Sequence, residues 1–153
     1  MIRNETEYQE AVRRFKEEKK RLSEHRARLQ EMGLSAPELK RALDPLVSFQ
    51  AQLEEEIDAY ERLQRGEIPP LLNLQDLGRS LVLLRIARGI TQRELADRLG
   101  VHESQVSRDE RNDYHGATVE RASRILEALS VQMTSEFELT SPKATSTSRE
   151  KRV

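Results

Sequence analysis

The amino-acid sequence predicts a mostly α-helical protein in two parts: an N-terminal antiparallel helical hairpin over residues 1–66 and a domain of five short helices over residues 74–131. In the first part, apolar residues recur every three, four or seven positions, which is the spacing of amphipathic helices. In the second part, shorter apolar segments follow capping residues and are separated by glycine. Aromatic residues make up only 4% of the chain, so the core must be mainly aliphatic.

The first helix is predicted to begin after Asn4. Asparagine is a preferred N-cap, and two glutamates follow in the first turn, where the helix dipole favours acidic side chains. An apolar residue then recurs every seven positions from Tyr8 to Leu29 and defines one apolar stripe. Gly33 is expected to end this helix.

The second helix is predicted to begin at the capping box Ser35–Glu38, which carries a proline in its first turn. Apolar residues at spacings of three and four continue to Leu63, and Gly66 is expected to end the helix. Pro45 should kink it, because proline removes a hydrogen bond and crowds the carbonyl of Arg41.

The connection over residues 33–37 is short, so the two helices should fold back on each other as an antiparallel hairpin. Each helix, at about 28 residues, would be roughly 42 Å long. Residues 5–65 are expected to serve dimerisation or the binding of a protein partner, although a solvated structural spacer is the simpler alternative. A stiff proline-containing linker is expected over residues 67–73.

The second part is expected to have helices over residues 74–88, 92–99, 103–111 and 119–129, with a short turn near Tyr114 as the fourth of five elements. Asn73 and Thr118 are the expected caps of the first and last helices. The predicted core consists of Leu77, Leu81, Leu84, Ile86, Ile90, Leu95, Ala96, Leu99, Val101, Val106, Val119, Ala122, Ile125, Leu126 and Leu129.

Beyond the last helix, residues 132–139 alternate partly between apolar and polar side chains and predict a short β-strand. A lone strand has no partner in this chain, so it would pair with a copy of itself across a dimer. Residues 140–153 are rich in Ser, Thr, Lys and Arg and are expected to be a disordered tail.

Residues 90–111 carry the most specific pattern in the chain. Thr91–Glu94 has the spacing of a capping box, and Leu95, Ala96 and Leu99 give the helix that follows one apolar face. Gly100 falls where a left-handed residue ends a helix, and a second short helix then begins. This pattern predicts a helix-turn-helix, the unit that presents one helix to the major groove of DNA.

These residues resemble the helix-turn-helix proteins of the Xre and lambda-repressor type. The matching signature is T-Q-x-x-L-A-x-x-L-G-V followed by V-S-R, all of which is present between residues 91 and 108. The resemblance extends over about residues 74–131 and implies a five-helix lambda-repressor-like domain that binds double-stranded DNA. The hairpin placed before it is similar to the arrangement in some HigA-like antitoxins.

The resemblance implies a set of DNA-contacting residues, most of them on the second helix of the motif. Arg108 would pair with guanine, Gln105 with adenine and Glu103 with cytosine, and Gln92 would contact a phosphate while bracing that helix. The full set is Gln92, His102, Glu103, Ser104, Gln105, Ser107, Arg108 and Arg111.

Three further positions are assigned through the same resemblance. Arg85 and Glu110 would form a structural ion pair that orients the recognition helix. Asp109 departs from the family pattern, which has an apolar residue there. Its charge would repel phosphate unless Arg108, Arg111 or Arg88 offsets it. Asn112 stands where glycine is common and is expected to tolerate a left-handed conformation.

Composition excludes several other classes of protein. The chain has no cysteine, so it forms no disulfide and no thiolate metal site, and no phosphate loop, metal-ligand spacing or paired-carboxylate motif indicates an enzyme, a cofactor or a metal. No apolar run approaches membrane-spanning length. A soluble cytoplasmic protein is expected, associated with the nucleoid when bound to DNA.

The charge balance does not by itself indicate DNA binding. The net charge is −1, and residues 71–133 hold nine basic residues, all arginine, against nine acidic ones. We therefore weigh three functions: a DNA-binding transcriptional repressor acting as a homodimer on a palindromic operator, an antitoxin that neutralises a toxin through its hairpin and autoregulates its operon, and an interaction module that does not bind DNA.

Overall fold

The computed structural model describes residues 1–139, and within that range it contains six α-helices, one short 3₁₀-helix and no β-strand. The predicted, mostly α-helical fold with an N-terminal antiparallel hairpin is confirmed. Residues 140–153, for which a disordered tail is predicted, lie outside the described range. The helices are α1 (Glu5–Glu31), α2 (Ala36–Gln64), α3 (Leu77–Ala87, after the 3₁₀-helix Leu74–Asp76), α4 (Gln92–Leu99), α5 (Glu103–Arg111) and α6 (Val119–Ala128).

Helices α1 and α2 form the hairpin, and local capping fixes where each begins. The Asn4 side chain accepts a hydrogen bond from the backbone N–H of Glu7 at 2.9 Å, and the capping box predicted at Ser35 is present. Helix α2 runs without interruption through Pro45. Near the open end of the hairpin, the rings of Tyr8 and Tyr60 stack with their centroids 5.0 Å apart.

The base of the hairpin packs into the core of the second part and does not simply project away from it. Tyr60 and Leu63 of α2 belong to the same buried cluster as Leu81 and Ile86 of α3. The distal half of the hairpin, residues 13–52, contributes a single buried residue, Leu43. The molecule therefore has one continuous core at one end and a loosely packed two-helix extension at the other.

The segment after α5 contains the turn predicted near Tyr114, but its left-handed residues differ from those expected. Residues 112–116 form turns and no helix, so the second part has four α-helices and one 3₁₀-helix where five helices were expected. Asp113 and Tyr114 have φ angles of 47° and 51°, whereas Asn112, expected to be left-handed, has φ −99°. These two left-handed residues break the helix and turn the Tyr114 ring inward, where it is only 5% exposed.

Two further predictions about the second part are wrong. Residues 131–139 contain no strand, because no neighbouring strand in the described part of the chain offers a ladder of hydrogen bonds. Val119, predicted to be in the core, is 81% exposed because it directly follows the N-cap Thr118 on the outer side of α6. The core instead includes Val82 and Leu83, which the periodicity did not select.

Gly78 is the point of closest approach between α3 and the turn after α5. A Cβ atom at this position would lie 2.0 Å from the carbonyl oxygen of Asp113, a backbone atom that no rotamer change can move. The left-handed turn can therefore pack against α3 only because residue 78 has no side chain.

Replacing Gly78 with alanine should lower the free energy of unfolding by about 2–3 kcal/mol, because the added methyl group forces the backbone of the turn away from α3. The matched control is Ser80→Ala on the same helix, which should change stability by less than about 0.5 kcal/mol. Urea denaturation followed by circular dichroism measures both. Equal effects of the two substitutions would contradict the close packing at Gly78.

Candidate DNA-binding surface

The helix-turn-helix is assembled from α4, the turn at Gly100 and α5. The Thr91 side chain accepts from the backbone N–H of Glu94 at 3.1 Å, and the Glu94 carboxylate accepts from the backbone N–H of Thr91 at 2.7 Å. The hydrogen bonds that the Glu94 carboxylate accepts from Thr91, first of all from its backbone N–H, hold the pKa of Glu94 below its usual value. Gly100 caps α4 in the left-handed conformation, with φ 67°.

Helix α5 is fixed against the core by one side and exposes the other. Val106 and Glu110 are completely buried. Ser104, Arg108 and Arg111, at spacings of four and three, lie on the opposite side of the helix and are exposed. Because a recognition helix reads bases with its exposed side, these three residues form the centre of the candidate surface.

The other predicted contact residues surround this centre. His102 caps α5, since its Nδ1 accepts from the backbone N–H of Ser104 at 3.2 Å. Glu103 and Gln105 are exposed in the first turn of α5, and Ser107 is half-buried. The structure thus brings the predicted residues of α5 to one end and one side of the helix, and only Gln92 comes from α4.

Arg85 and Glu110 form a buried, bidentate ion pair. Nε of Arg85 donates to Oε1 of Glu110 at 2.5 Å, and Nη2 donates to Oε2 at 2.7 Å. The two side chains are 3% and 0% exposed. Nη1 of Arg85 also donates to the carbonyl of Ile90 at 2.8 Å, so one guanidinium connects α3, the turn before α4 and α5.

Gln92 joins this network through its side chain. Its Nε2 donates to Oε2 of Glu110 at 2.8 Å, and the residue is half-buried. The side chain is therefore occupied in bracing α5. A phosphate at the start of α4 would have the backbone N–H groups of Gln92 and Arg93 available, because these have no partner within the helix, whereas that of Glu94 already donates to Thr91.

The segment before α1 also contributes to the Arg85–Glu110 network and to the core, which the sequence did not predict. The carbonyl of Arg3 accepts from Nη2 of Arg85 at 2.8 Å, and the Arg3 guanidinium lies 3.3 Å from the Asp113 carboxylate. Ile2 is buried in the core. These contacts join residues more than eighty positions apart, so no local pattern in the sequence could have revealed them.

Asp109 is offset by an arginine that was not among the candidates. Nη2 of Arg121 donates to Oδ2 of Asp109 at 2.5 Å, and each side chain is 28% exposed. Arg121 lies in the first turn of α6, twelve positions after Asp109 in sequence. The negative charge of Asp109 is thereby partly neutralised before any phosphate approaches.

The arginines of the second part are divided by their contacts. Five of the nine donate to carboxylates or carbonyls of the protein itself: Arg85, Arg88, Arg98, Arg121 and Arg124. Arg93, Arg108 and Arg111 form no ion pair with any residue between 1 and 139 and are exposed. These three, at the start of α4 and along α5, give a segment of zero net charge a local basic surface.

An acidic cleft borders this surface. A cavity of about 870 Å³ separates the first turns of α1 from the turn before α4, and Gln92 and Glu103 line it together with three glutamates of α1. Those glutamates are Glu5, Glu7 and Glu10, and the lining also includes Arg88 and Arg85, the latter paired with Glu110. A phosphate at the start of α4 would face the three carboxylates and be repelled by them.

Other kinds of site are not evident in the described part of the chain. Within residues 1–139, no three His, Asp or Glu side chains converge in a way that would hold a metal ion. No helix there is both long enough and apolar enough to span a bilayer.

The buried pair yields a stability prediction. Arg85→Met alone or Glu110→Leu alone should lower the free energy of unfolding by about 3–5 kcal/mol, because each leaves an unpaired buried charge. The double variant should recover most of that loss. Arg79→Met, which removes an exposed arginine of the same helix, is the control and should have little effect. Thermal and urea unfolding measure all four variants, and a double variant as unstable as the sum of the singles would contradict the pairing.

Comparison with known protein families identifies the second part of the chain. Residues 81–135 match a family model described as Helix-turn-helix, a match that covers less than half of the chain. No curated protein and no solved structure gave a significant match. Together with the α4–turn–α5 geometry, the match shows that residues 81–135 form a helix-turn-helix domain of the Xre and lambda-repressor type.

Proposed function

We propose that this protein is a sequence-specific transcriptional regulator, a repressor that binds a palindromic operator as a homodimer in the cytoplasm. The observation that carries the proposal is the exposed side of α5, where Arg108 and Arg111 form no ion pair with any described residue, while Glu110 on the buried side is paired with Arg85. A recognition helix needs exposed donors on a rigid support, and this arrangement supplies both.

Each exposed side chain has a chemically suitable base. Arg108 has the paired donors that match O6 and N7 of guanine, and Gln105 has the donor and acceptor that match adenine. Glu103 accepts from N4 of cytosine, and Ser104 and Ser107 adapt to several bases. Arg93 and Arg111 are placed to contact phosphates, which set position and affinity without reading sequence.

A homodimer follows from the small size of one such surface. A single recognition helix reaches few base pairs, and helix-turn-helix proteins gain specificity by placing two of them about 34 Å apart on a palindrome. The near-zero net charge of the domain also favours a dimer, because phosphate contacts supply much of the affinity for DNA and two copies make more of them.

An antitoxin-like function is the second candidate, and the hairpin favours it. Its distal half leaves apolar side chains exposed, with Phe49 at 43% and Met32 at 69%. Its base contacts the network that holds α5, through Arg3. A protein bound to the hairpin would therefore be coupled to DNA binding, as in a regulator that neutralises a partner and represses its own operon.

Replacing Arg108 with alanine should weaken binding to the operator by about 1–3 kcal/mol and relax the preference at one base pair, because a bidentate base contact is lost. The operator is first obtained by selection from random duplexes, and affinity is measured by fluorescence anisotropy. Arg79→Ala, an exposed arginine of α3, is the control and should change neither value. A uniform loss at all sequences for Arg108→Ala would contradict this placement of the recognition helix.

The acidic cleft gives a second prediction about DNA binding. Replacing Glu5 and Glu10 with glutamine should tighten binding at low salt, since two negative charges beside the phosphate position are removed. The gain should vanish near 1 M salt, where the Debye length is about 3 Å. The matched control is Glu17→Gln with Glu31→Gln, two exposed glutamates farther along α1. An equal gain in the control would mean that the effect is one of net charge alone, and no DNA binding by any variant would favour the interaction module.

A further inference from the structure

The distal half of the hairpin has an apolar groove that its own two helices leave open. The groove, about 490 Å³ in volume, lies between α1 and α2, and we define the distal groove by Arg21, Leu22, His25, Arg28 and Leu46. Phe49, one turn from Leu46 on the same side of α2, extends its apolar wall and is 43% exposed. Two helices alone cannot enclose the distal groove, so the groove is open to a third element.

The surroundings of the distal groove are basic. Residues 13–52 contain ten Lys and Arg against six Asp and Glu. Arg14, Arg21 and Arg28 recur every seven residues and form an exposed row on one side of α1, about 21 Å long. The two glutamates at the groove are paired, Glu18 with Arg21 and Glu24 with Lys20, so Arg14 and Arg28 are the members of the row without an ion pair among the described residues. An occupant of this groove should therefore be both apolar and acidic.

The segment after α6 has those properties. Phe137 and Leu139 are 92% and 100% exposed, and Met133 is 44% exposed. In an extended chain these three odd-numbered residues point to one side, while Glu136 and Glu138 point to the other. Residues 131–139 contain no basic side chain. Extended, residues 133–139 are roughly 20 Å long, which matches the arginine row.

We propose that the distal groove binds residues 131–139 of a second copy of this chain, with the apolar side of the segment against Leu22, Leu46 and Phe49 and its two glutamates near the arginine row. The exchange is reciprocal, so each copy gives one segment and receives one. This inference deepens the dimeric part of the proposed function by naming the surfaces that form the dimer.

The second copy, and not the chain itself, is the occupant for two reasons. In the single chain the segment does not occupy the groove, since Phe137 is almost fully exposed. A reciprocal two-fold exchange also covers both unpartnered surfaces in both copies and closes the assembly, so that no apolar segment is left to recruit further chains.

Sedimentation of the full-length chain at micromolar concentration tests the apolar contacts. The wild type should be a dimer, and Phe49→Asp or Phe137→Ala with Leu139→Ala should raise the dimer dissociation constant at least tenfold. The matched control is Val47→Asp. Val47 is 42% exposed and lies two residues from Phe49, roughly 200° around the helix, so it should leave the dimer unchanged. Circular dichroism checks that each variant keeps its helical content.

Reversing the charges of the arginine row and of the two glutamates tests how residues 131–139 are aligned along the distal groove. Arg21→Glu with Arg28→Glu should weaken the dimer at least tenfold, and adding Glu136→Lys with Glu138→Lys should restore it to within threefold of the wild type. A mixture of the two separately reversed chains should also dimerise, because both reciprocal contacts then pair opposite charges, one in the reversed sense and one as in the wild type.

Several outcomes would overturn the proposal: a monomeric wild type, an equal loss with Val47→Asp, or no rescue by the second reversal. Because these measurements contain no DNA, they are independent of operator binding. A dimer that fails to bind DNA would refute the proposed function and leave the interface standing.

Discussion

The buried ion pair between Arg85 and Glu110 is the contact on which the position of the recognition helix depends. One guanidinium holds α5 through Glu110, the turn before α4 through Ile90 and the N-terminal segment through Arg3. A buried charge without its partner is costly, so the elements that carry this pair can separate only at a large free-energy penalty. The exposed side of α5 is rigid for that reason, although the helix has only nine residues.

The same network connects the hairpin to the helix-turn-helix. Arg3 touches both Arg85 and Asp113, one on the helix that supports α5 and one in the turn that follows it. The hairpin base also places its glutamates beside the start of α4. A change in the hairpin could therefore alter DNA binding in two ways. It could shift Arg85, which holds α5 in place, or it could shift the α1 glutamates that lie beside the start of α4.

Basic and acidic side chains are concentrated in different regions of this molecule. In the second part, most arginines donate to the protein's own acceptors, and three of the exposed ones without an ion pair, Arg93, Arg108 and Arg111, lie on α4 and α5 where DNA would bind. The distal hairpin carries excess basic charge around an apolar groove, while the segment after α6 carries acidic charge around exposed Phe137 and Leu139. A net charge near zero thus hides surfaces of opposite sign, which the overall composition cannot reveal.

The sequence by itself determined the elements that local chemistry controls. The caps at Asn4, Ser35, Thr91 and Thr118, the left-handed end of α4 at Gly100 and the apolar stripes are interactions among residues within a few positions of one another, so periodicity and capping predicted most of the helix bounds. Only the tertiary structure decided which distant groups meet. The Arg121–Asp109 pair, the contacts of Arg3, the inward Tyr114 and the approach of Gly78 to Asp113 depend on how helices pack. The strand predicted at residues 132–139 was wrong for the same reason, because alternation shows that a segment suits a sheet but not that another strand is beside it.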